Sequence, residues 1–284
     1  MNDKFSIIVP CYNEAGSIVS TLKELQAFEG DYEIIVVDDG SDDNTYDLAC
    51  TFGVTVVRHE KNKGYGASLK TGIKRAMHDI IVITDADGTY PNEMIPSLVK
   101  EFVENKLDMV VGARIGDKVN IPLIRRPAKW VLNKLANVLT GVKIPDLNSG
   151  LRVMEKSIIM RFYNIICDGF SFTTTITLCM LTNDYDVKYI PINYFVRHGK
   201  SKIKPIRDTL NFVQLILRTC MYFNPLKIFI PVSVLLFFSA FAVLGGSYFL
   251  LGKMMDVTFG VILMSSVTIL AIGMLADLID KRLK

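Results

Sequence analysis

The sequence predicts an α/β domain with a mostly parallel sheet, followed by a C-terminal hairpin of two helices long enough to span a membrane. Three observations carry this. Short β-forming runs alternate with single amphipathic segments from Phe5 to Val111. Three of those runs end abruptly in polar clusters. Near the C-terminus, two long stretches lose almost all charge.

The elements follow in order. Residues 5–9 form a first strand, and Ile18, Leu22 and Leu25 then recur at helical spacing. Residues 33–37 make a second strand that closes in Asp38-Asp39-Gly40-Ser41, and a helix over 44–52 leads to a strand over 54–57. The stretch KNKGYGASLKTGIKRAM turns helical from about Ala67. A strand over 80–84 ends in Asp85-Ala86-Asp87, and the next helix turns Met94, Ile95, Leu98, Val99 and Phe102 inward. Residues 109–111 form a further strand. Strands separated by single helices imply parallel units with helices on both faces.

The C-terminal third changes solvent. Residues 226–251 read LKIFIPVSVLLFFSAFAVLGGSYFLL, with only Lys227 charged; the second span, over about 257–279, opens with the uncharged VTFGVILMSSVTILAIGML. Crossing a hydrocarbon core takes about 20 apolar residues, and few soluble helices stay apolar around the whole circumference. Lys200, Lys202, Lys204, Arg207 and Arg218 precede the hairpin and Lys281, Arg282 and Lys284 follow it, whereas its turn carries only Lys253 and Asp256. Positive flanks mark the cytoplasmic side. The expected organisation is a cytoplasmic domain over 1–204, a juxtamembrane amphipathic helix over 205–224 and the hairpin over 225–284. A second basic amphipathic helix is expected over about 124–140. Such helices can lie in the headgroup layer or pack on the domain.

Composition bounds the partners. A net charge of +3 over 284 residues argues against a general nucleic-acid binder. The five cysteines show no CxxC and no metal spacing, which suits reduced thiols, and no signal peptide opens the chain. His59, His78 and His198 are too dispersed for a zinc site and read as ordinary surface or loop residues. A homo-oligomer is compatible with all of this.

In open parallel sheets, ligands sit beyond the carboxyl ends of the strands. Three polar clusters fall there: Cys11-Tyr12-Asn13-Glu14, Asp38-Asp39-Gly40-Ser41 and Asp85-Ala86-Asp87. Asp85 and Asp87, one residue apart where a strand breaks, can face one hard cation, and Mg²⁺ or Mn²⁺ takes such oxygen ligands together with phosphate oxygens. The bland alternative is an acidic turn. Asp38 and Asp39 can hold a base edge or ribose hydroxyls, or cap the next helix with Ser41 or Asn44 sharing the task. Lys63-Gly64-Tyr65-Gly66 resembles a phosphate loop only loosely. Arg114 also lies at a strand end, and residues 194–202 (YFVRHGKSK) bring dense positive charge just before the membrane.

SIIVPCYNE, VVDDGSDDNT, DADG and GAR, in this order and spacing, resemble the family 2 glycosyltransferases with a GT-A fold. DLNSGLRVM, FSFTTTITL and VRHGKSKIKP, followed by the hairpin, are similar to that family's polyprenyl-phosphate hexosyltransferase branch. The resemblance implies a nucleotide-sugar donor (a UDP- or GDP-sugar), a polyprenyl phosphate acceptor and inverting transfer on the cytoplasmic membrane face. It implies that Pro10, Tyr12, Glu14, Asp39 and Lys63 line the nucleotide pocket and that Asp85 and Asp87 hold Mg²⁺ or Mn²⁺. Arg114 and Arg197, with Ser201 and Lys202, would grip the diphosphate and acceptor phosphate, with Arg125 or Arg126 helping at the acceptor side. Asp146 would sit near the sugar. One departure stands out: related synthases often carry Gln two places after the second Asp, and Thr89 stands there. That leaves the third ligand position to water or to Thr89 itself.

A processive polysaccharide synthase would need more membrane helices and usually a QxxRW motif, which the sequence lacks. A non-catalytic membrane scaffold with a degenerate transferase domain would have no reason to keep the Asp85/Asp87 pair and Arg197.

Overall fold

A computed structural model describes residues 4–115, 134, 136–138, 140–169, 171–195, 213–214, 216–218, 221–222, 224–252 and 255–283. The run FSIIVPC forms β1 (Phe5–Cys11), and all seven of its residues are buried. A strand apolar on both faces belongs in the middle of a parallel sheet. There it pairs in parallel with β2 (Tyr32–Asp38) on one side and β4 (Ile80–Ile83) on the other. β3 (Thr55–Arg58) adds to β2 in parallel at the edge.

Beyond β4 the alternation breaks. The next strand in space is β6 (Arg152–Glu155), antiparallel to both β4 and β5 (Met109–Ala113), and β7 (Val187–Pro191) extends the sheet parallel to β5. The seven-stranded order is β3-β2-β1-β4-β6-β5-β7. The inserted β6 corrects the simple alternating expectation, which had only a polar turn before this segment. At four residues, with a charged residue at each end, it carries too short a pattern to stand out.

Helices cover both faces. α1 (Ile18–Gln26) and α4 (Ile95–Glu104) bury Ile18, Leu22, Leu25, Leu98, Val99 and Phe102 against Ile7, Val9 and Val82. On the opposite face α3 (Tyr65–Arg75), α5 (Lys156–Arg161) and α6 (Phe172–Thr182) cover Ile8, Ile35, Val37, Ile81, Ile83 and Met154. α3 packs so closely that a Cβ on Gly72 would stand 2.4 Å from Ile8 Cγ2. It starts at Tyr65 rather than Ala67, and α2 (Thr45–Cys50) is shorter than expected at both ends.

The C-terminal helices α7 (Leu226–Leu251) and α8 (Asp256–Leu283) turn back on each other through Gly252, at φ 64°. Their facing serines are reciprocal: Ser233 Oγ donates to the Ser266 carbonyl at 3.0 Å and Ser266 Oγ to that of Ser233 at 2.9 Å. Inter-helix hydrogen bonds of this kind join small residues where apolar surface drives nothing. Residues 226–249 and 256–279 have mean hydropathies of 2.5 and 2.2, long and apolar enough to cross a membrane. At the start of α7, Ile228 packs against the cluster that includes Ala136, Ile144, Leu147, Leu178 and Leu181, and Lys227 Nζ donates to the Thr140 carbonyl at 3.3 Å. Most of the amphipathic segments over 124–140 and 205–224 lie outside the described residues.

Candidate active site

The three polar clusters converge. The end of β1 turns at Asn13, whose φ of 54° falls in the left-handed region that Asn tolerates better than most residues. This turn is stitched to the one after β2. Asn13 N–H donates to Ser41 Oγ at 2.9 Å, Asp42 N–H to Asn13 Oδ1 at 2.8 Å, and Glu14 N–H to Thr45 Oγ1 at 2.8 Å. Asp43, rather than Ser41 or Asn44, accepts the first-turn amide of α2, from Thr45 at 3.0 Å.

The two adjacent aspartates after β2 do different work. Asp38 is fully buried and turns away, accepting from Ser41 Oγ and pairing with Arg58 at 3.2 Å. Asp39 faces the cleft. Its Oδ1 accepts from His59 Nδ1 at 2.7 Å and Lys63 N–H at 2.9 Å, and its Oδ2 from Gly64 N–H at 2.8 Å. His59, in the loop directly after β3, is thus a buried partner of Asp39, only 5% exposed, and not a surface residue. Asp39 rigidly holds the glycine turn that opens α3. The first amides of α3 are also taken, since Gly66 and Ala67 donate to the carbonyls of Gly169 and Asp168. That helix end is therefore closed by protein, consistent with only a loose likeness to a phosphate loop.

Pro10, Cys11, Tyr12, Glu14, Asp39, Asn62, Gly64, Tyr65, Ser68, Asp85, Ala86, Asp87 and Gly169 line one cavity of about 510 Å³. It gathers Pro10, Tyr12, Glu14 and Asp39, assigned to the nucleotide, and Asp85 and Asp87, assigned to the metal. Lys63 is exposed and contributes its backbone amide to Asp39 instead of lining the cavity.

The acidic pair is braced from both sides. Tyr65 donates its phenol to Asp85 Oδ1 at 2.9 Å, and burial, with the Asp85 charge, pushes that phenol well above its ordinary range. It stays protonated as a donor. Thr89 donates its hydroxyl to Asp87 Oδ1 at 2.6 Å and its amide at 3.2 Å. The hydroxyl is buried and committed to the carboxylate, which makes Thr89 a support for Asp87. Gly150 lies against Asp85, where a Cβ would come within 2.9 Å of Oδ2. Two ionisable oxygen donors at an open cavity fit Mg²⁺ or Mn²⁺, with the remaining positions filled by phosphate oxygens and water. Among the described residues no group of three His, Cys, Asp or Glu forms a metal cluster.

Arg114 and Asp146 come together beside this cavity. Arg114 Nε and Nη2 donate to the two oxygens of Asp146 at 2.7 and 2.9 Å, its amide donates to Oδ2 at 3.0 Å, and Asp146 is fully buried. The guanidinium also lies 5.1 Å from the ring centroid of Tyr194. Tyr194 packs edge-on to Tyr90, whose hydroxyl accepts the Gly150 amide at 2.6 Å. Phe195 N–H donates to the Thr89 carbonyl at 2.9 Å, so the chain enters the basic stretch directly beside the acidic pair. Arg125, Arg126, Arg197, Ser201 and Lys202 lie outside the described residues.

Arg152 carries a role that its sequence context did not reveal. Its fully buried guanidinium donates to the carbonyls of Ser149 and Leu147 at 2.7 and 2.9 Å, and to Thr177, holding the turn that presents Asp146 and Gly150. An arginine following an apolar residue in a short strand is the only trace of this in the sequence.

The chain is similar to several known proteins. A dolichyl-phosphate hexose transferase of Haloferax volcanii is 27% identical over 221 residues, covering 77% of this chain and 95% of that protein. A dolichol-phosphate mannosyltransferase of Pyrococcus furiosus is 30% identical over 217 residues, covering 71% of this chain and 59% of the relative. A crystal structure of glucosyl-3-phosphoglycerate synthase from Mycobacterium tuberculosis, in complex with Mn²⁺, UDP and phosphoglyceric acid, superposes with a TM-score of 0.62 at 18% identity. It covers 77% of this chain and 78% of that one, and shares the GT-A-like fold. Residues 6–162, more than half of the sequence, match the glycosyl transferase family 2 domain, and the chain belongs to that family.

Proposed function

We propose that the chain transfers a hexose from a nucleoside diphosphate sugar to a polyprenyl phosphate at the cytoplasmic face of a membrane. One observation carries this: the acidic pair and Asp39 share a cavity, and Thr89, which donates to Asp87, accepts from the amide of Phe195, where the basic stretch leading to an apolar hairpin begins. The relatives named for dolichyl phosphate support the acceptor, and the family supports the donor. Residues 1–204 would form the catalytic domain, 205–224 a juxtamembrane helix and 225–284 a membrane hairpin with both ends cytoplasmic.

In this reading Pro10, Tyr12, Glu14 and Asp39 hold the nucleoside, and Asp85 and Asp87 hold Mg²⁺ or Mn²⁺ against the diphosphate. A divalent ion there supplies neutralisation of the departing diphosphate's charge. An oxygen of the acceptor phosphate attacks the anomeric carbon; the new O–C bond forms as the bond from that carbon to the diphosphate oxygen breaks, inverting the centre. The acceptor phosphate is already anionic near neutral pH, so the step needs no strong general base. Arg197, Ser201, Lys202 and Arg125 or Arg126 are assigned to the phosphates by resemblance. Arg114, locked to Asp146, positions the turn that carries Gly150 and Asp146 next to the sugar.

The test is transfer itself. Purified full-length chain with Mn²⁺, a short polyprenyl phosphate and a panel of nucleotide sugars should yield a lipid-linked sugar with one donor. Asp87→Ala should abolish it, and normal turnover in that variant would overturn the reading. Arg197→Ala should impair transfer while leaving nucleotide binding largely intact.

A further inference from the structure

Within the cavity, the carboxylate of Asp39 is unusually committed. A carboxylate offers about four acceptor positions, two on each oxygen. Oδ1 already accepts from His59 Nδ1 and the Lys63 amide, and Oδ2 accepts from the Gly64 amide. One acceptor position remains, on Oδ2. Asp39 lines the cavity and is only 4% exposed, so its remaining capacity is set by these partners and not by water.

His59 is held in that role from behind. Thr71 Oγ1 lies 2.9 Å from His59 Nε2 and 3.0 Å from the Ala67 carbonyl, in hydrogen-bond contact with both. Both ring nitrogens are therefore hydrogen-bonded, Nδ1 to Asp39 and Nε2 to Thr71, and the ring cannot rotate without losing a buried hydrogen bond. His59 has no place in the cavity lining and acts only through Asp39.

The bases differ in what they ask of a carboxylate. Guanine presents two adjacent donors, N1–H and N2–H, which a carboxylate meets with both oxygens. Uracil presents one donor, N3–H, between two carbonyls. We propose that His59 is a positioning residue that occupies Oδ1 of Asp39 and so restricts the cavity to a base with a single imide N–H, selecting a uridine over a guanosine diphosphate sugar. This rests on the nucleotide-sugar reading above and sharpens it.

Equilibrium binding to the full-length chain with Mn²⁺ tests it, using UDP, GDP and N3-methyl-UDP as probes. A site that must leave a donor unpaired discriminates strongly, so UDP should bind at least about tenfold tighter than GDP, and N3-methylation should cost about tenfold or more. His59→Leu frees Oδ1 and should move the UDP:GDP ratio toward one, whereas His59→Asn, whose amide can replace Nδ1–H, should keep the preference. GDP binding as tightly as UDP, full affinity for N3-methyl-UDP, or an unchanged ratio in folded His59→Leu would each overturn the inference while leaving the transferase reading intact. Failure of both UDP and GDP to bind would overturn that reading as well. If His59→Leu does not fold, the wild-type comparison with N3-methyl-UDP still decides.

Discussion

The Thr89 hydroxyl donates to Oδ1 of Asp87 at 2.6 Å from a position with no exposed surface. The bond holds the carboxylate in one orientation at the cavity. Thr89→Val keeps the shape and removes the donor. Supporting partners of metal ligands are typically worth about 10–100-fold in affinity or activity. Mn²⁺ affinity in the presence of UDP, followed by the paramagnetic signal of the free ion, should fall by roughly tenfold or more. Unchanged affinity would show that Asp87 needs no such support.

Gly150→Ala should disturb the same centre from the opposite side. The new methyl would meet the Asp85 oxygens at 2.9 and 3.1 Å, and the carboxylate, a side-chain end, is what gives way. Transfer should drop while circular dichroism and melting temperature stay close to wild type. Full activity would mean that Asp85 tolerates displacement.

The Arg114–Asp146 pair makes a stability prediction. Both side chains are largely or wholly buried, at 16% and 0% exposure, so removing one strands the other charge. Arg114→Met or Asp146→Leu alone should cost about 3–5 kcal/mol, and the double substitution much less than the sum. Thermal unfolding of the three variants measures this. Additive losses would mean the two charges do not depend on each other.

Alkaline pH should weaken the fold. Burial, then the Asp38 charge, holds the Cys11 thiol well above its ordinary 9.0, and burial does the same to the Tyr90 phenol above 10.0. Both groups stay protonated in the folded chain where the unfolded chain releases protons. The unfolded state therefore binds fewer protons, and stability declines as pH rises from about 9 upward. Melting temperature against pH should show this, with the decline beginning later in Cys11→Ala. Thiol labelling under native conditions should modify exposed Cys50 well before buried Cys11.

Much of this was legible in the chain because the relevant signals are local. An apolar run closing in DADG or DDGS reads directly as a strand end with carboxylates, and the structure brings those ends into one cavity. Long uncharged stretches announce α7 and α8 for the same reason. What stayed hidden depends on contacts distant in sequence. β6 is a strand because β4 and β5 leave a gap for it. Phe172–Thr182, rich in β-branched threonines, is a helix because it is buried on almost every side. The burial of loop residue His59 stayed hidden since nothing nearby in sequence discloses that Asp39, twenty positions earlier, closes over it. Arg114 and Asp146 were each singled out, but their bond spans 32 positions that no periodicity connects.

The link between Phe195 and Thr89 has a kinetic corollary. A rearrangement of the acidic loop on filling by one substrate tugs on the segment assigned to the other, and the reverse holds equally. Saturation curves for the two substrates should then not be independent: raising one concentration ought to shift the half-saturation of its companion, by the same factor in both directions if binding equilibrates.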